Sequence, residues 1–438
     1  MKKVLLLTVG GSHQPIITSI TSQKPDRIIF ICSDGLKGSK SQVIGEGKPC
    51  EVRKGTEVVE KLPNIPTQLG LGDRFQAERD LVLIQEPDNL SECYSKILQK
   101  IDEIKKEELT YQILADYTGG TKTMSIALAI AALDSEVLLF VTTSTSRQNL
   151  IKVESGERTK RAPTTELTVT RTIEKTLPIY LESYNYSAAI AELKDLLQSR
   201  EFELDSSKRV EELLDQCEGF EAWDRFDHIT ALSRLEPYMK QPNILPYGMF
   251  LKKVIASRSQ LDIDFDNSGG INGNGYEVVE DLLLNAQRCA VQHRYDDAVG
   301  RLYRAIELLA QLRLKNRYNI LTGDVDLINL PESLRNEYEA IREASYKNKI
   351  QLGLLQSYEL LTKLPIDPLG RVFAESKQQI INALEVRNYS LFAHGFKPVN
   401  HNDYQSFSKT IGGFIRDGIK SLLPDKSKLS DLQFLQRL

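Results

Sequence analysis

The sequence predicts an α/β domain with a parallel sheet, followed by an all-α region. Two observations predict this fold class. Residues 1–165 contain short, β-branched apolar runs that alternate with helical patterns, which is typical of a doubly wound sheet with right-handed crossovers. From about Tyr186 onward, nearly every segment has the 3.6-residue periodicity of amphipathic helices. The 438 residues suffice for two or three domains that each bury a core.

The predicted strands are apolar runs bounded by turn residues, at Val4–Val9, Arg27–Ile31, Leu81–Ile84, Tyr111–Leu114 and Val137–Val141. The clearest helices between them are predicted over Leu90–Ile104 and Thr121–Leu133. Residues 39–74, rich in Gly, Lys and Pro, interrupt this alternation as an inserted excursion. The sequence leaves the structure and the role of this excursion open.

The C-terminal part is predicted to be helical throughout. A polar, glycine-rich stretch at Asp264–Gly275 predicts a second boundary. The expected division is therefore an α/β domain over residues 1–165, a helical connector over 166–270 and a C-terminal helical domain over 271–438. The amphipathic helices predicted after this boundary are Tyr276–Gln292, Asp296–Leu314, Leu334–Ala344, Gln356–Leu361, Val372–Ala393 and Tyr404–Leu422.

Composition excludes several classes of protein. With 56 Lys and Arg against 60 Asp and Glu, the net charge of −4 argues against a protein that coats DNA, because that affinity needs many cations on phosphates. The five scattered cysteines contain no C-x-x-C, so neither a disulfide framework nor a metal site is expected. The N-terminal apolar run is too short for a signal peptide and no transmembrane stretch occurs, which predicts a cytoplasmic protein without a membrane partner.

Two glycine turns follow predicted strands. The first is Thr8-Val9-Gly10-Gly11-Ser12-His13-Gln14, and the second is Asp116-Tyr117-Thr118-Gly119-Gly120-Thr121-Lys122-Thr123. Ligands of open α/β sheets bind beyond the carboxyl ends of strands, where glycines admit close approach and helix N-termini present N–H groups to anions. Each turn is therefore a candidate phosphate or ribose contact, with Lys122 as a cation. Neither turn fits a dinucleotide fingerprint or a Walker A loop.

Arg387 and His394 are the candidate catalytic pair. On a helix over Val372–Ala393 they differ by about 700°, so both side chains would emerge on nearly one face, about 10 Å apart. Gly395 predicts the helix stop, where the helix dipole would favour a protonated His394. This pair suits phosphodiester cleavage, because His moves protons and Arg stabilises the charged transition state. A surface arginine beside a capping histidine is the alternative for these two residues alone.

Taken together in this order, the two glycine turns and the segment Arg387–Gly395 resemble the motifs of the CRISPR-associated CARF-HEPN ribonucleases of type III interference systems. The resemblance implies an N-terminal Rossmann-like CARF domain with a parallel-core sheet, a helical connector and a C-terminal helical HEPN domain. Arg387 and His394 match the R-x(4-6)-H signature of the family at its longer spacing, and Asn388 is the usual polar residue after the arginine.

The resemblance implies an activator-gated enzyme. The CARF domain would bind cyclic oligoadenylate, expected to be cyclic tetra-adenylate, and no further cofactor or metal is implied. The HEPN domain would cut single-stranded RNA without a metal, leaving 2′,3′-cyclic phosphate ends because the RNA 2′-OH is the nucleophile. Arg387, Asn388 and His394 are the expected catalytic residues. The expected activator-binding residues are Thr8, Gly10, Gly11, Ser12, His13, Gln14, Thr118, Gly119, Gly120, Thr121 and Lys122.

The expected partners follow from symmetry. A cyclic ligand suits a pocket on the two-fold axis of a homodimer, and the same axis would join two Arg387 and His394 pairs in one cleft that binds single-stranded RNA. Stable DNA binding is not expected. Two alternatives stay open, namely a non-enzymatic CARF regulator that binds DNA, and an enzyme whose CARF pocket also degrades its activator.

Overall fold

The chain divides into two compact units. The computed structural model describes residues 2–35, 38–54, 57–107, 111–148, 152–199, 204–262, 264–345, 349–390, 395–424 and 428–437. The contacts within it define one unit over residues 1–168 and a second over 169–438. The N-terminal unit is α/β and the second is helical, so the predicted fold class is confirmed. The division into three domains stays a prediction.

The N-terminal unit contains a six-stranded sheet in the order β5-β2-β1-β6-β7-β8. Every strand pair is parallel except β7 with β8, which is antiparallel. The strands of this unit are β1 Lys3–Thr8, β2 Arg27–Ser33, β3 Cys50–Lys54, β4 Glu57–Leu62, β5 Leu81–Ile84, β6 Gln112–Asp116, β7 Leu138–Gln148 and β8 Lys152–Arg161. Its helices are α1 Gln14–Gln23, α2 Ser41–Ile44, α3 Ile65–Gln68, α4 Ala77–Asp80, α5 Leu90–Glu107 and α6 Lys122–Asp134, and α7 Thr165–Arg171 contains the boundary between the two units.

The predicted strands are found with small shifts at their ends, except that β7 continues to Gln148, seven residues beyond the predicted end at Val141, and β8 is an additional strand of the sheet. Its sequence is mostly polar and charged, so it lacks the apolar signal of the buried strands. As an antiparallel edge strand it needs no apolar residues on two faces.

The excursion over residues 39–74 is folded into the sheet domain. It contains α2, the antiparallel hairpin of β3 and β4, and α3. Val43, Cys50 and Ile65 are buried in one core with alternate residues of β1 such as Leu5 and Leu7. The other face of the sheet packs against α5 and α6. The excursion therefore covers sheet surface that a single helix would leave exposed.

The second unit is built from helices around one apolar core. Its helices are α8 Leu177–Glu182, α9 Tyr186–Ser199, α10 Leu204–Asp224, α11 His228–Leu235, α12 Leu245–Arg258, α13 Glu277–Val291, α14 Tyr295–Tyr318, α15 Glu332–Ala344, α16 Leu354–Lys363, α17 Pro368–Asn388, α18 His401–Phe407 and α19 Gly413–Leu422. Within the described part of the chain, no helix has the length and apolar character needed to cross a membrane.

The core of the second unit extends from Val169 to Phe434. The C-terminal segment returns to the first helices of the unit, since the Tyr186 hydroxyl donates to the carbonyl of Leu435 at 2.6 Å. The ring of Phe434 packs against Trp223, with ring centroids 5.0 Å apart. The residues of the predicted connector and those that follow it thus share one core.

Two helix predictions were wrong, one at its end and one in its interior. Helix α17 ends at Asn388 and not at Ala393, because Tyr389 is its C-cap and Ser390 already lies outside the helix. The helix predicted over Tyr404–Leu422 is divided into α18 and α19 by a π-helical turn at Ser408–Gly412. The first correction bears directly on the candidate catalytic residues.

Candidate functional site

The two glycine turns meet at the topological switch point of the sheet. From β1 the chain continues on one side to β2 and β5, whereas β6 and β7 lie on the other side. Strands β1 and β6 are parallel neighbours, and Leu7 is paired with Asp116. Both turns therefore leave the sheet at the same edge and side by side. In open α/β sheets, this crevice is where ligands bind.

The backbones of the two turns are in direct contact. A Cβ atom added at Gly10 would lie 2.6 Å from the backbone nitrogen of Gly120, and one added at Gly119 would clash with the carbonyl oxygen of Thr8. The Thr8 hydroxyl completes the contact by donating to the carbonyl of Gly119 at 2.6 Å. The two turns thus form one backbone surface that side chains at Gly10 or Gly119 would push apart.

The hydroxyls of Thr118 and Thr121 in the second turn are engaged within the protein. Thr118 donates its hydroxyl proton to the buried carboxylate of Asp116 and accepts from the backbone N–H of Thr142 at 2.6 Å. Thr121 is the N-cap of α6, and its hydroxyl donates to the carbonyl of Pro87 at 2.7 Å. These hydroxyls hold the turn in place. The exposed side chain of Lys122 supplies a positive charge at the edge of the turn.

The first turn combines exposed and buried groups. Gly11, Ser12 and Gln14 are exposed, and a Cβ atom at Gly11 would meet nothing within 4 Å. His13 is only 3% exposed, and its Nε2 has no hydrogen-bond partner among the described residues. Burial lowers the pKa of His13, although the nearby carboxylate of Glu157 opposes this shift. A neutral imidazole with a free nitrogen therefore lies within the turn.

Gln42 is a residue of this site that the motifs did not reveal. It lies on α2 in the excursion, and its side-chain amide donates to the carbonyl oxygen of Gly10 at 2.5 Å. Its own Oε1 is buried without a partner in the described part of the chain. No sequence signal could have identified it, because the contact joins the first turn to a segment without a recognisable motif.

Arg387 lies in the last turn of α17. The apolar residues Phe373, Ile380 and Leu384 bury one stripe of this helix, and Arg387 follows Leu384 by three residues on that side. Its guanidinium carbon lies 4.3 Å from the ring centroid of Tyr303 on α14, which is a cation–π contact. Tyr303 thus orients the arginine, whereas Asn388 is exposed.

The chain leaves α17 in a hydrogen-bonded turn. The hydroxyl of Ser390 donates to the carbonyl of Arg387 at 2.7 Å, and the N–H of Gly395 donates to the carbonyl of Ser390 at 3.2 Å. Lys397 then donates its N–H to the carbonyl of Tyr389 at 3.2 Å. The helix that was predicted to carry both Arg387 and His394 stops at Asn388. His394 itself lies outside the described residues.

Comparisons with known proteins agree with this architecture. Residues 269–417 match the family model described as the Csm6 HEPN domain. No curated protein sequence matches the chain. A solved structure, Enterococcus italicus Csm6 bound to cyclic hexa-2′-fluoro-hexa-dAMP, has a similar fold with a TM-score of 0.59. The similarity covers 98% of this chain and 96% of that one at 10% sequence identity.

The chain has the architecture of the CRISPR-associated CARF-HEPN proteins. The resemblance predicted from the motifs is therefore confirmed. The glycine turns lie in the CARF fold, and Arg387 and Asn388 lie within the region that matches the HEPN domain. The match also contains position 394.

A second arginine and histidine in the HEPN region have a different environment. Arg288 is almost fully buried, donates to Asp224 at 2.6 Å and lies 3.6 Å from the ring centroid of Phe434. His293 follows the end of α13 with φ +59° and shares a hydrogen bond of 2.9 Å with the Tyr295 hydroxyl. Arg288 thus stabilises the core of the unit, in contrast to Arg387 at a helix end.

Proposed function

We propose that this CARF-HEPN protein is an endoribonuclease of type III CRISPR defence that cuts single-stranded RNA when cyclic oligoadenylate binds its CARF domain. The observation that carries the proposal is the match of residues 269–417 to the Csm6 HEPN domain, with Arg387 at a helix end inside that range. The proposal includes metal-independent cleavage that leaves 2′,3′-cyclic phosphate ends, in a cytoplasmic protein.

The environment of Arg387 supports phosphodiester chemistry. Its guanidinium is oriented by Tyr303 and would stabilise the charge that develops on the scissile phosphate. His394 would transfer protons between the 2′-OH, which attacks the phosphate, and the 5′-oxygen that leaves. Asn388 would donate a hydrogen bond from its amide. Tyr389 and Phe396 are 65% and 90% exposed beside this turn, which favours stacking with unpaired bases.

The meeting of the two glycine turns supports the activator site. Gly10, Gly119 and Gly120 bring bare backbone to the switch point, where phosphate and ribose groups can approach closely. The unpartnered Nε2 of His13 is a polar atom for which a ligand can supply the partner. Lys122 adds positive charge for an anionic ligand. These features fit a cyclic oligonucleotide, and the expected ring is cyclic tetra-adenylate.

An exposed apolar face supports a homodimer. Ile126 and Ile130 of α6 are 52% and 37% exposed, and their spacing of four residues puts them on one side of the helix. A second copy of the chain would bury these side chains and bring a second pair of glycine turns to the same axis. A symmetric ligand could then contact both copies in the same way.

Cleavage of a fluorescent single-stranded RNA by the full-length protein tests the proposal. We expect cleavage only with cyclic tetra- or hexa-adenylate, and we expect it to persist in EDTA. Arg387→Ala and His394→Ala should each lower the rate by about 10²–10³-fold, because each removes a group that acts in the transition state. Arg371→Ala removes an exposed arginine of the same helix and serves as the matched control.

Loss of cleavage in EDTA would contradict the metal-independent mechanism. Wild-type rates in Arg387→Ala would contradict the assignment of the site.

Chromatography of the activator after the reaction distinguishes a ligand that only activates the enzyme from one that the CARF pocket also degrades. Cleavage of a DNA strand of the same sequence would contradict the role of the 2′-OH.

A further inference from the structure

Two residues at the first glycine turn carry hydrogen-bonding atoms that the protein leaves unused. In the described part of the chain, four buried side-chain atoms lack a hydrogen-bond partner, and two of them are Nε2 of His13 and Oε1 of Gln42. The other two, on Arg288 and Asp296, lie in the helical unit. Buried polar atoms normally have partners, because an unpaired atom loses water without gaining a bond. Two such atoms at one turn favour a ligand that supplies their partners.

The amide of Gln42 has only one possible orientation. The carbonyl oxygen of Gly10 accepts hydrogen bonds and cannot donate, so the amide nitrogen of Gln42 must face it, at 2.5 Å. The oxygen of the same amide, Oε1, is then the atom that is left without a partner. Gln42 therefore offers an acceptor, and a ligand that pairs with it must bring a donor.

Gln42 lies on a helix that is held at both ends. Before α2, Ser39 and Ser33 exchange two hydrogen bonds, because the backbone N–H of each donates to the hydroxyl of the other at 3.0 and 3.1 Å. After α2, the side chain of Asn64 donates to the carbonyl of Gly45 at 2.9 Å. A side chain on such a fixed segment loses little conformational freedom when it binds a ligand.

The second glycine turn has few side-chain groups left that can distinguish one base from another. The hydroxyls of Thr118 and Thr121 donate within the protein, and Lys122 offers charge and donors but no acceptor. An acceptor recognises a base by an N–H group on its edge. Adenine presents an exocyclic amine, whereas guanine and hypoxanthine carry an oxygen at the same ring position.

We propose that Oε1 of Gln42 accepts a hydrogen bond from the exocyclic amine of an adenine in the cyclic activator. Gln42 is then a specificity-determining residue, which selects cyclic oligoadenylate over rings built from other purines. A purine with an oxygen in place of the amine would set an acceptor against an acceptor and leave Oε1 unpaired. The inference rests on the proposed function, because it concerns the same activator site.

Binding of two matched rings tests this role separately from RNA cleavage. Calorimetric titration of the full-length protein compares cyclic tetra-adenylate with cyclic tetra-inosinate, in which an oxygen replaces each amine. We expect the wild type to bind the adenylate ring about tenfold more tightly, the factor that one such hydrogen bond provides. Gln42→Met should bind the two rings equally. A substitution that only disturbed the first turn would weaken the binding of both rings alike and leave the preference unchanged.

Gln68→Met is the matched control. Gln68 belongs to the same excursion, and its amide nitrogen also donates to a backbone carbonyl at 2.5 Å, in this case that of Pro63. The substitution therefore removes the same kind of bond without removing the acceptor beside Gly10. Gln68→Met should keep the wild-type preference for the adenylate ring.

The outcomes separate this inference from the proposed function. Equal binding of the two rings by the wild type, or an unchanged preference in Gln42→Met, would overturn the inference and leave a cyclic oligonucleotide as the activator. A preference that Gln42→Met loses and Gln68→Met keeps supports the inference even if no RNA is cut. If the wild type bound neither these rings nor the corresponding hexamers, the activator site itself would be contradicted and the inference with it.

A second variant covers the case in which Gln42→Met does not fold, as judged by circular dichroism. Gln42→Lys keeps a donor for the carbonyl of Gly10 but has no acceptor. Its positive charge attracts both rings alike, so this variant should also bind the two rings equally. A preference for the adenylate ring equal to that of the wild type would overturn the inference.

Discussion

The glycine turns of the CARF fold and the helix end at Arg387 are built in opposite ways. At the turns, backbone meets backbone, and the glycines permit the contact between Gly10 and Gly120. At the helix end, a long side chain is positioned by another side chain, because Tyr303 lies under the Arg387 guanidinium. Substitutions at the turns should therefore change structure and function together, whereas substitution of Arg387 should change function alone.

The largest effect in this comparison is expected at Gly10. A methyl group in Gly10→Ala would lie 2.6 Å from the nitrogen of Gly120, so the two turns must separate. We expect the free energy of unfolding to fall by about 1–3 kcal/mol, the usual cost of overpacking. Activator-dependent RNA cleavage should be lost at the same time. Thermal unfolding and activator titration of the full-length protein measure the two effects.

Gly11→Ala is the matched control for this substitution. Gly11 is the next residue of the same turn, but a Cβ atom there would meet nothing within 4 Å. Its free energy of unfolding should change by no more than about 0.5 kcal/mol. If Gly10→Ala were as stable as Gly11→Ala, the turns would not depend on backbone contact, and the contrast with Arg387 would fail.

The sequence predicted the glycine turns better than the helix end at Arg387, and the reason is physical. Short apolar strands and glycine turns have local signals, and the parallel order of strands brings their ends together. The end of α17 depends on hydrogen bonds such as that from Ser390 to the carbonyl of Arg387, which have no periodic pattern. Continuing the helical period to residue 393 therefore predicted a helix that is longer than α17.

The excursion could not be predicted for a similar reason. Its few buried residues, such as Val43 and Ile65, are far apart in the chain and show no period. The contact of Gln42 with Gly10 joins residues that are 32 positions apart. Such a contact is specified by the packing of the whole domain and not by either segment alone. The strand β8 was missed because an exposed edge strand can be polar.

A smaller effect is expected at Gln42. Gln42→Ala removes the donor to the Gly10 carbonyl, and the loss of this hydrogen bond at a partly buried acceptor costs about 1 kcal/mol. Because this bond acts on the activator turn, we expect about fivefold more cyclic oligoadenylate to be needed for half-maximal cleavage. Gln76→Ala, at an exposed glutamine just beyond the excursion, is the control. Equal activator requirements in the two variants would show that the excursion does not position the turn.

The smallest expected effect is that of His13 on the pH dependence of stability. Burial lowers the pKa of His13 from its ordinary value of 6.5, so the unfolded chain takes up this proton at a higher pH than the folded one does. Stability that is complete above about pH 6.5 should then be lost as the pH falls through the lower folded pKa. His13→Gln cannot titrate, so its unfolding temperature should fall less than that of wild type between pH 7 and pH 5. Parallel curves of unfolding temperature against pH for the two proteins would mean that His13 is not held neutral inside the turn.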